Sequence, residues 1–167
     1  MDFSNMAERA DRLLANGRYT TLATSDGSTA WAATVNYVAL RDPLRLLWTS
    51  MSAARHSANI AANPTLSGTI HMTGLPAFPV DGLQYEATAR SAEDSEEAEQ
   101  LHQQFHELTF PDETVSKEWA LPLDECVGPG LRRFYVADIT RYWLLDIDRW
   151  LIDQTDARIE VDIETRS

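Results

Sequence analysis

Hydrophobic and polar residues alternate along much of the chain, which predicts a protein built mainly of β-strands. A period of two is typical of half-buried strands, whereas a period near 3.6 indicates a helix. The predicted strands are Tyr19–Thr24, Trp31–Leu40, Leu44–Thr49, Leu66–Met72, Leu83–Ser91, Arg133–Ala137 and Arg141–Asp146. The predicted helices are Ser4–Asn16, with Ser4 as its cap, Ala53–Ala62 and Asp94–Leu108.

Short turns decide how these strands are connected. Ser25–Ser28 contains Asp-Gly, which favours a hairpin, and Arg41–Pro43 is another tight turn. Such links are too short for the crossovers that parallel strands need. We therefore predict a mainly β fold, a six- to seven-stranded antiparallel barrel with peripheral helices at its open corners. A turn at Asp138–Thr140 is expected to join the last two strands.

Three regions are predicted to lack long regular elements. Residues 74–81 read as a loop, and Phe110–Gly130 reads as a longer loop with one helical turn near Lys117–Leu121. A loop of that length is often functional, so we expect it to shape a substrate pocket; the alternatives are a packing strap or an arm at a dimer interface. Residues 149–167 form an acidic tail that is expected to fray, which leaves residues 1–148 as the domain.

Length and charge limit the class of protein. A chain of 167 residues fits one domain with its own core. The formal net charge of −12 argues against nucleic acid and anionic membrane surfaces as partners, because both are negatively charged. The single cysteine, Cys126, excludes an intrachain disulfide. No apolar run reaches the length of a membrane span and the N-terminus is unlike a signal peptide, so we expect a cytoplasmic protein.

The segment from Leu44 to Pro64 carries the candidate chemistry. An apolar strand ends in hydroxyl-bearing residues, after which a helix begins; these residues are Thr49, Ser50 and Ser52. A helix N-terminus has unpaired N–H groups and a partial positive charge, which stabilise an anion. Arg55 can add a bidentate fork and His56 a further hydrogen bond. The segment predicts a phosphate site; the alternative is a capped helix whose Arg55 and His56 point to solvent.

Four segments, in this order, resemble the pyridoxamine 5′-phosphate oxidase-like family of FMN-binding split β-barrels. They are YTTLATSDGSTAWAATVNYV, LWTSMSAARHSANIAANP, GLQYEATARSAED and FYVADITRYWLLD, of which the second is the most specific. The resemblance extends from about Ala10 to Asp146. It implies a split barrel that binds FMN, an oxidoreductase acting on a small organic molecule, and a closing hairpin in the fourth segment.

The resemblance also implies roles for particular residues. Arg55 and His56 fall where the family places an Arg/Lys pair on the FMN phosphate, and Ser50 falls where a strand-end hydroxyl contacts the same phosphate. Gln84 matches a glutamine that reaches the flavin, although it can equally be a polar residue at a strand edge. The remaining matches are Thr34, Val35 and Asn36. They lie on the strand whose backbone, in the family, lines the edge of the isoalloxazine ring.

The chain departs from the family pattern in ways that bear on its substrate. Ala54 stands where the family has a second phosphate serine, and His56 replaces a cation with a mostly neutral ring. The stretch WLLDIDRW lacks the histidine of the motif with which the oxidase itself binds pyridoxamine phosphate. We therefore expect a member of the family with a different substrate from that of the vitamin oxidase.

Three classes of function stay open at this point. The first is an FMN-dependent oxidoreductase, the second a deazaflavin-dependent reductase on the same barrel, and the third a flavin- or haem-binding protein without turnover. No catalytic residue is assigned, and the candidates are His71, His102 and His106. His102 and His106 are spaced i, i+4, but without a third ligand they are expected on a solvated helix face rather than at a metal.

The resemblance further implies a homodimer, because split barrels of this type build the flavin cleft from two chains. Aromatic residues are enriched at interfaces. Those expected at or near this one are Trp119, Tyr142 and Trp143, whose alternative place is the core of a single chain.

Overall fold

A computed structural model describes residues 5–72, 81–110 and 112–162 of the chain. The helices are α1 (Met6–Asn16), α2 (Arg55–Ala62), α3 (Ser95–Thr109), α4 (Glu113–Trp119) and α5 (Ile147–Asp153). The strands are β1 (Tyr19–Ser25), β2 (Ala30–Asn36), β3 (Val38–Leu40), β4 (Arg45–Met51), β5 (Thr65–His71), β6 (Gly82–Ser91), β7 (Arg132–Leu145) and β8 (Arg158–Glu160). Ser4 and nearly all of the loop predicted at 74–81 lie outside the described residues; the described cap of α1 is Asn5, whose side chain accepts from the Glu8 N–H.

The strands form one sheet in the order β2-β1-β5-β6-β7-β4-β3, with β8 added to β7. Every pairing between them is antiparallel. The two end strands, β2 and β3, are separated by Tyr37 alone, so the sheet curls back on itself into a half-barrel. The mainly antiparallel barrel predicted from the short turns is confirmed, with eight strands in the described residues rather than six or seven.

The predicted strand Trp31–Leu40 is divided into β2 and β3 at Tyr37, which corrects the prediction. The Tyr37 hydroxyl is buried and donates to the carbonyl oxygens of Leu13 and Leu14 at the end of α1, at 3.4 and 3.1 Å. The residues before Tyr37 pair with β1, and those after it pair with β4. Alternation continues through Tyr37, so the sequence carried no signal for this corner.

The hairpin predicted at Asp138–Thr140 is wrong, because β7 runs unbroken from Arg132 to Leu145. Its pairing with β6 shifts register: Glu86 opposes Arg141 and Ala87 opposes Ile139, which leaves Thr140 as an extra residue. The Thr140 hydroxyl donates to the Glu86 carbonyl oxygen at 3.1 Å. A bulge of this kind bends a strand without ending it. The polar stretch Asp138–Thr140, whose composition is typical of a turn, therefore remains part of β7.

Two further segments contain more regular structure than expected. Phe110–Gly130 includes α4 and a short 3₁₀ turn at Leu123–Glu125 rather than a single helical turn. The described part of the tail is not frayed: Asp146 caps α5 by accepting from the Arg149 N–H at 3.0 Å, and β8 pairs with β7. Burial of Ile147 and Val161 accounts for this order, because each gives the tail an apolar anchor.

Alternation along the strands produces two hydrophobic clusters on opposite faces of the sheet. The barrel interior contains Leu46, Trp48, Tyr85, Tyr142 and Leu144. The second cluster lies beneath α3 and contains Leu47, Leu101, Phe105, Phe134 and Val136. Tyr142 has no exposed surface and packs in the core, which is the alternative place considered for it. No helix among the described residues is long and apolar enough to cross a membrane.

Candidate anion-binding site

The predicted strand–turn–helix is present, and hydrogen bonds fasten it at both ends. The Ala54 N–H donates to the Met51 carbonyl oxygen at 3.0 Å, which closes the turn between β4 and α2. The Ser57 hydroxyl donates to the same carbonyl oxygen at 2.8 Å. The Ser52 N–H and hydroxyl both donate to the Leu131 carbonyl oxygen, at 2.9 and 3.0 Å. Ser52 therefore fixes the turn to the segment before β7.

Alternation along β4 separates the predicted hydroxyl residues. Leu46, Trp48 and Ser50 face the barrel interior, whereas Thr49 lies on the other face with its Oγ1 4.0 Å from Cys126 Sγ. Of the two adjacent residues, only Ser50 is therefore directed toward the start of α2. Thr49 does not join the group around Arg55.

Ser50 and His56 form the polar end of the barrel interior. His56 Nε2 lies 2.9 Å from Ser50 Oγ, and Ser50 is buried while His56 is half-buried. Burial lowers the pKa of His56 below its usual value, because desolvation disfavours the imidazolium form. A neutral ring can either donate to or accept from the Ser50 hydroxyl, so this pair can adapt to an incoming acceptor.

Arg55 is the first residue of α2, and its side chain is exposed. Its Cζ lies 4.6 Å from the centroid of the Trp31 ring of β2, which is a cation–π contact. Among the described residues no hydrogen bond or ion pair is seen for its guanidinium, in contrast to Arg12, Arg41, Arg90 and Arg141, which are all paired with carboxylates. The guanidinium of Arg55 is thus exposed without a carboxylate in ion-pair contact, and its charge acts at longer range on Asp26, where after the bonds from Thr29 and Ser28 it helps to lower the pKa.

The N-terminus of α2 also lacks negative charge. Its N-cap residue, Ala54, provides no side-chain hydrogen bond, and its first turn contains no acidic residue. Helices α1, α3 and α5 begin instead with Asn5, Asp94 and Asp146, whose side chains accept from backbone N–H groups. An uncapped helix N-terminus beside an unpaired arginine is a favourable site for an anion.

The predicted residues of β2 are divided between its two faces. Val35 is buried in the barrel core, and Trp31 lies on the same face by alternation. Thr34 is exposed and Asn36 is partly exposed on the outer face, where they oppose Thr21 and Tyr19 of β1. The side chains of Thr34 and Asn36 are therefore directed away from the face of β2 on which Trp31 contacts Arg55.

Gln84 is distant from this group within one chain. It opposes Trp143 of β7, whereas Ser50 opposes Arg133, so the two lie toward opposite ends of that strand. Gln84 is exposed on the outer face, and its Oε1 accepts from Arg158 Nε at 2.9 Å. Sequence alone did not indicate Arg158 as its neighbour, because the two are 74 positions apart.

The histidines of α3 have a structural role. His106 is buried, Nδ1 donating to the His102 carbonyl oxygen at 2.9 Å and Nε2 accepting from the Leu121 N–H at 3.1 Å. His102 Nε2 lies 2.7 Å from the Leu121 carbonyl oxygen. The expected solvated helix face is therefore wrong for His106: the two rings hold the segment after α4 against α3.

Solved structures with similar folds include proteins that bind flavin or haem. A haem-binding protein from Mycobacterium smegmatis superposes with a TM-score of 0.67 at 17% identity, covering 98% of this chain and 60% of that one. An FAD-binding protein from Mesorhizobium loti superposes with a TM-score of 0.62 at 14% identity, covering 81% of this chain and 91% of that one. The haem storage protein HutZ of Vibrio cholerae superposes with a TM-score of 0.59 at 18% identity, covering 79% of this chain and 88% of that one. At these identities the likeness shows the fold.

The sequence itself matches one family over most of its length. No curated protein matches it. The sequence model of pyridoxamine 5′-phosphate oxidase, however, matches residues 6–143, a range that includes the barrel, the β4–α2 turn and most of β7. The chain therefore belongs to the pyridoxamine 5′-phosphate oxidase family.

Proposed function

We propose that this protein is an FMN-dependent oxidoreductase acting on a small organic molecule, and that the FMN phosphate binds at the N-terminus of α2. The observation that carries the proposal is the unpaired guanidinium of Arg55 beside a helix N-terminus with no side-chain cap and no acidic residue. A phosphate dianion supplies the acceptors that both features lack. The departures at WLLDIDRW favour a substrate other than pyridoxamine phosphate.

The residues present fit a phosphate group. Arg55 offers a planar fork of donors, and Ser50 offers a hydroxyl that His56 already orients. A dianion close to His56 would favour its imidazolium form, because an opposite charge opposes the effect of burial on the pKa. Bound FMN would supply the redox chemistry. The chain supplies phosphate anchoring, orientation and exclusion of water.

We also propose that two copies of the chain form the complete site. Gln84 cannot meet Ser50 within one chain, and it borders a groove of about 390 Å³ on the outer face of the sheet. Glu86 also lines this groove, and its charge is paired with Arg141 at 3.8 Å. The adjoining surface of β1, β2 and β5 carries no formal charge, and its residues include Tyr19, Thr21, Ala23, Ala32, Thr34, Ser67 and Thr69. On a chain of net charge −12, such a surface lets two copies approach without like-charge repulsion.

The segment between α3 and β7 is the proposed substrate side of the pocket. Trp119, at the end of α4, is 65% exposed, and the histidine contacts to Leu121 hold the segment in place. An exposed indole on a segment anchored to a rigid scaffold suits recognition of a flat or apolar molecule. Deleting residues 113–125 should leave FMN binding intact and abolish turnover.

Haem binding is the second candidate function. The mycobacterial haem-binding protein superposes on nearly the whole chain, and an imidazole is a common axial ligand of haem iron. Exposed His71, at the end of β5, is the candidate ligand for this role. A deazaflavin bound by the same phosphate residues is the third possibility that the experiment must separate.

The test is the absorption spectrum of the purified protein, followed by titration with FMN, riboflavin, a deazaflavin and haem. We expect FMN to bind at least about tenfold more tightly than riboflavin, because each hydrogen bond to a charged group contributes about 1.5–3 kcal/mol. Light scattering should give twice the chain mass of 18.8 kDa. Equal affinity for FMN and riboflavin would overturn the phosphate site, and haem binding without flavin binding would favour the second candidate.

A further inference from the structure

We infer that Trp31 is a positioning residue for Arg55, and that through Arg55 it determines selection of a phosphate-bearing flavin over one without phosphate. The inference rests on the proposed function, because it concerns the same phosphate site. The observation behind it is the cation–π contact in which Arg55 Cζ lies 4.6 Å from the Trp31 ring centroid. Trp31 is 40% exposed, so its ring is not simply part of the core.

Two consecutive hydrogen bonds connect the backbone of Trp31 to the helix that carries Arg55. The Thr24 hydroxyl of β1 donates to the Trp31 carbonyl oxygen at 3.3 Å. The same hydroxyl accepts from Asn59 Nδ2 of α2 at 3.1 Å. Asn59 follows Arg55 by four residues and therefore lies on the same side of α2. Thr24 and Asn59 are both 3% exposed, so solvent does not compete for the bond between their side chains.

Contact with an aromatic ring leaves Arg55 able to bind an anion. A cation–π contact does not give the guanidinium a hydrogen-bond acceptor such as a carboxylate, whereas bidentate recognition of phosphate uses its N–H groups. A carboxylate partner would occupy those N–H groups instead. Trp31 therefore restricts the arginine without consuming its donors.

Asp26 is the acidic side chain of the hairpin, and its hydrogen bonds lie within its own turn. Asp26, in the turn before β2, accepts from the Ser28 N–H, the Ser28 hydroxyl and the Thr29 N–H, each at 2.8 Å. All three bonds end on Oδ1. The bonds from Thr29 and Ser28 lower the pKa of Asp26 most, and the charge of Arg55 lowers it slightly further, so the two charges interact without an ion pair between them. The β1–β2 hairpin thus gives Arg55 an aromatic ring and a solvent-exposed charge, neither of which occupies its N–H donors.

Holding Arg55 before the ligand arrives should increase affinity for phosphate. A long exposed arginine side chain loses rotamer freedom when it binds, and prior restriction reduces that loss. The effect acts only on a ligand that contacts Arg55 through a phosphate. The ratio of FMN affinity to riboflavin affinity therefore measures it, and a change in general folding does not alter that ratio.

The experiment compares Trp31→Leu and Trp31→Phe in the full chain, titrated with FMN and with riboflavin. We expect Trp31→Leu to weaken FMN binding about fivefold, the size of an exposed cation–π contact, and to change riboflavin affinity less than twofold. Trp31→Phe should lower the FMN-to-riboflavin ratio by only about twofold. In the Arg55→Ala background, Trp31→Leu should have no further effect on FMN affinity. Trp150→Leu, on α5, is the matched control for loss of an indole away from the site.

Several results would overturn the inference. An unchanged FMN-to-riboflavin ratio in Trp31→Leu would show that Trp31 does not act through Arg55. Equal losses for both ligands would show that the ring contacts the flavin or supports the fold. If Trp31→Leu does not fold, Trp31→Phe alone decides, because its weaker cation–π contact should lower the ratio by about twofold. If the wild-type protein does not distinguish FMN from riboflavin, the proposed phosphate site is refuted together with the inference about Trp31. If only the Trp31 variants give the contradicting result, the inference fails and the proposed function stands.

Discussion

Helices α2 and α3 begin with opposite chemistry. At α3, Asp94 accepts from the N–H groups of Glu96 and Glu97 at 3.0 Å each, and both glutamates lie in the positive first turn. At α2, the cap position is Ala54 and the first charged residue is Arg55. The first arrangement neutralises a helix end, whereas the second leaves its positive potential exposed. The difference indicates that α2 gives up local stability where a ligand is expected.

The stability that α2 lacks at its N-terminus comes from tertiary contacts. Ser57 and Asn59 are both buried, and their side chains bond to Met51 and Thr24, which lie on β4 and β1. Helix α3 combines its cap with a charged pair on its exposed side, in which Arg90 Nη1 donates to Glu97 Oε2 at 2.9 Å. A helix end can thus remain free for binding when the helix body is fastened elsewhere.

The largest expected effect is that of Arg55→Ala on FMN binding. Removing the unpaired fork should cost about 1.5–3 kcal/mol, or roughly 10- to 150-fold in Kd, because the bonds lost are charge-assisted. Arg90→Ala is the matched control, because it removes an arginine of β6 that pairs with Glu97 of α3, and its Kd for FMN should equal that of the wild type. Isothermal titration measures both. An unchanged Kd in Arg55→Ala would place the phosphate elsewhere.

Removing the cap of α3 should affect stability and not binding. Asp94→Ala leaves two backbone N–H groups without their acceptor, and we expect the free energy of unfolding to fall by about 1 kcal/mol. Asp94→Asn should retain most of the stability, since asparagine also caps well. Urea denaturation measures the change. A loss of FMN affinity in Asp94→Ala would contradict the division of roles between the two helices.

The other end of α3 should make stability depend on pH. Burial, and then the charge of His102, lower the pKa of His106 below its ordinary value near 6.5. Protonation of Nε2 would also break the bond from the Leu121 N–H. Stability should therefore be complete above about pH 6.5 and fall as the pH decreases through the lowered pKa. The effect should be smaller than that of Asp94→Ala, because one neutral hydrogen bond is lost rather than two bonds to a carboxylate.

Denaturation at a series of pH values tests this prediction. His106→Gln should flatten the decrease below about pH 6.5. The pKa of His56 is also lowered by burial, so His56→Gln must be measured separately to assign the change. If the free energy of unfolding of His106→Gln decreases with falling pH as steeply as that of the wild type, His106 is not the cause of the pH dependence.

The smallest expected change in stability follows from giving α2 the cap that it lacks. Ala54→Ser and Ala54→Asp should each raise the free energy of unfolding by about 0.5–1 kcal/mol. Their effects on FMN should have opposite signs: the serine hydroxyl can donate to phosphate, whereas the aspartate carboxylate repels it. Thermal melting and FMN titration of both variants make the comparison. If Ala54→Asp binds FMN as tightly as Ala54→Ser, the phosphate does not lie at this helix end.

Much of the site was predictable because its central part is local in sequence. The β4–turn–α2 segment is continuous, so an apolar run, a group of hydroxyls and a stop at Asn63-Pro64 were enough to locate it. Strict alternation would also have separated Thr49 from Ser50, since neighbours on a strand face opposite ways. The place of Gln84 was not predictable in this way, because it depends on how far β6 runs along β7.

The amino-acid sequence by itself determined most of the strands, the two early tight turns, the antiparallel class and the strand–turn–helix with Ser50, Arg55 and His56, because each depends on residues close together in the chain. Only the tertiary structure decided the corner at Tyr37, the unbroken β7 and the contact of Trp31 with Arg55. It also decided the bonds of His102 and His106 to Leu121. Each of these features requires partners distant in sequence, and a local pattern carries no information about which distant groups the folded chain brings together.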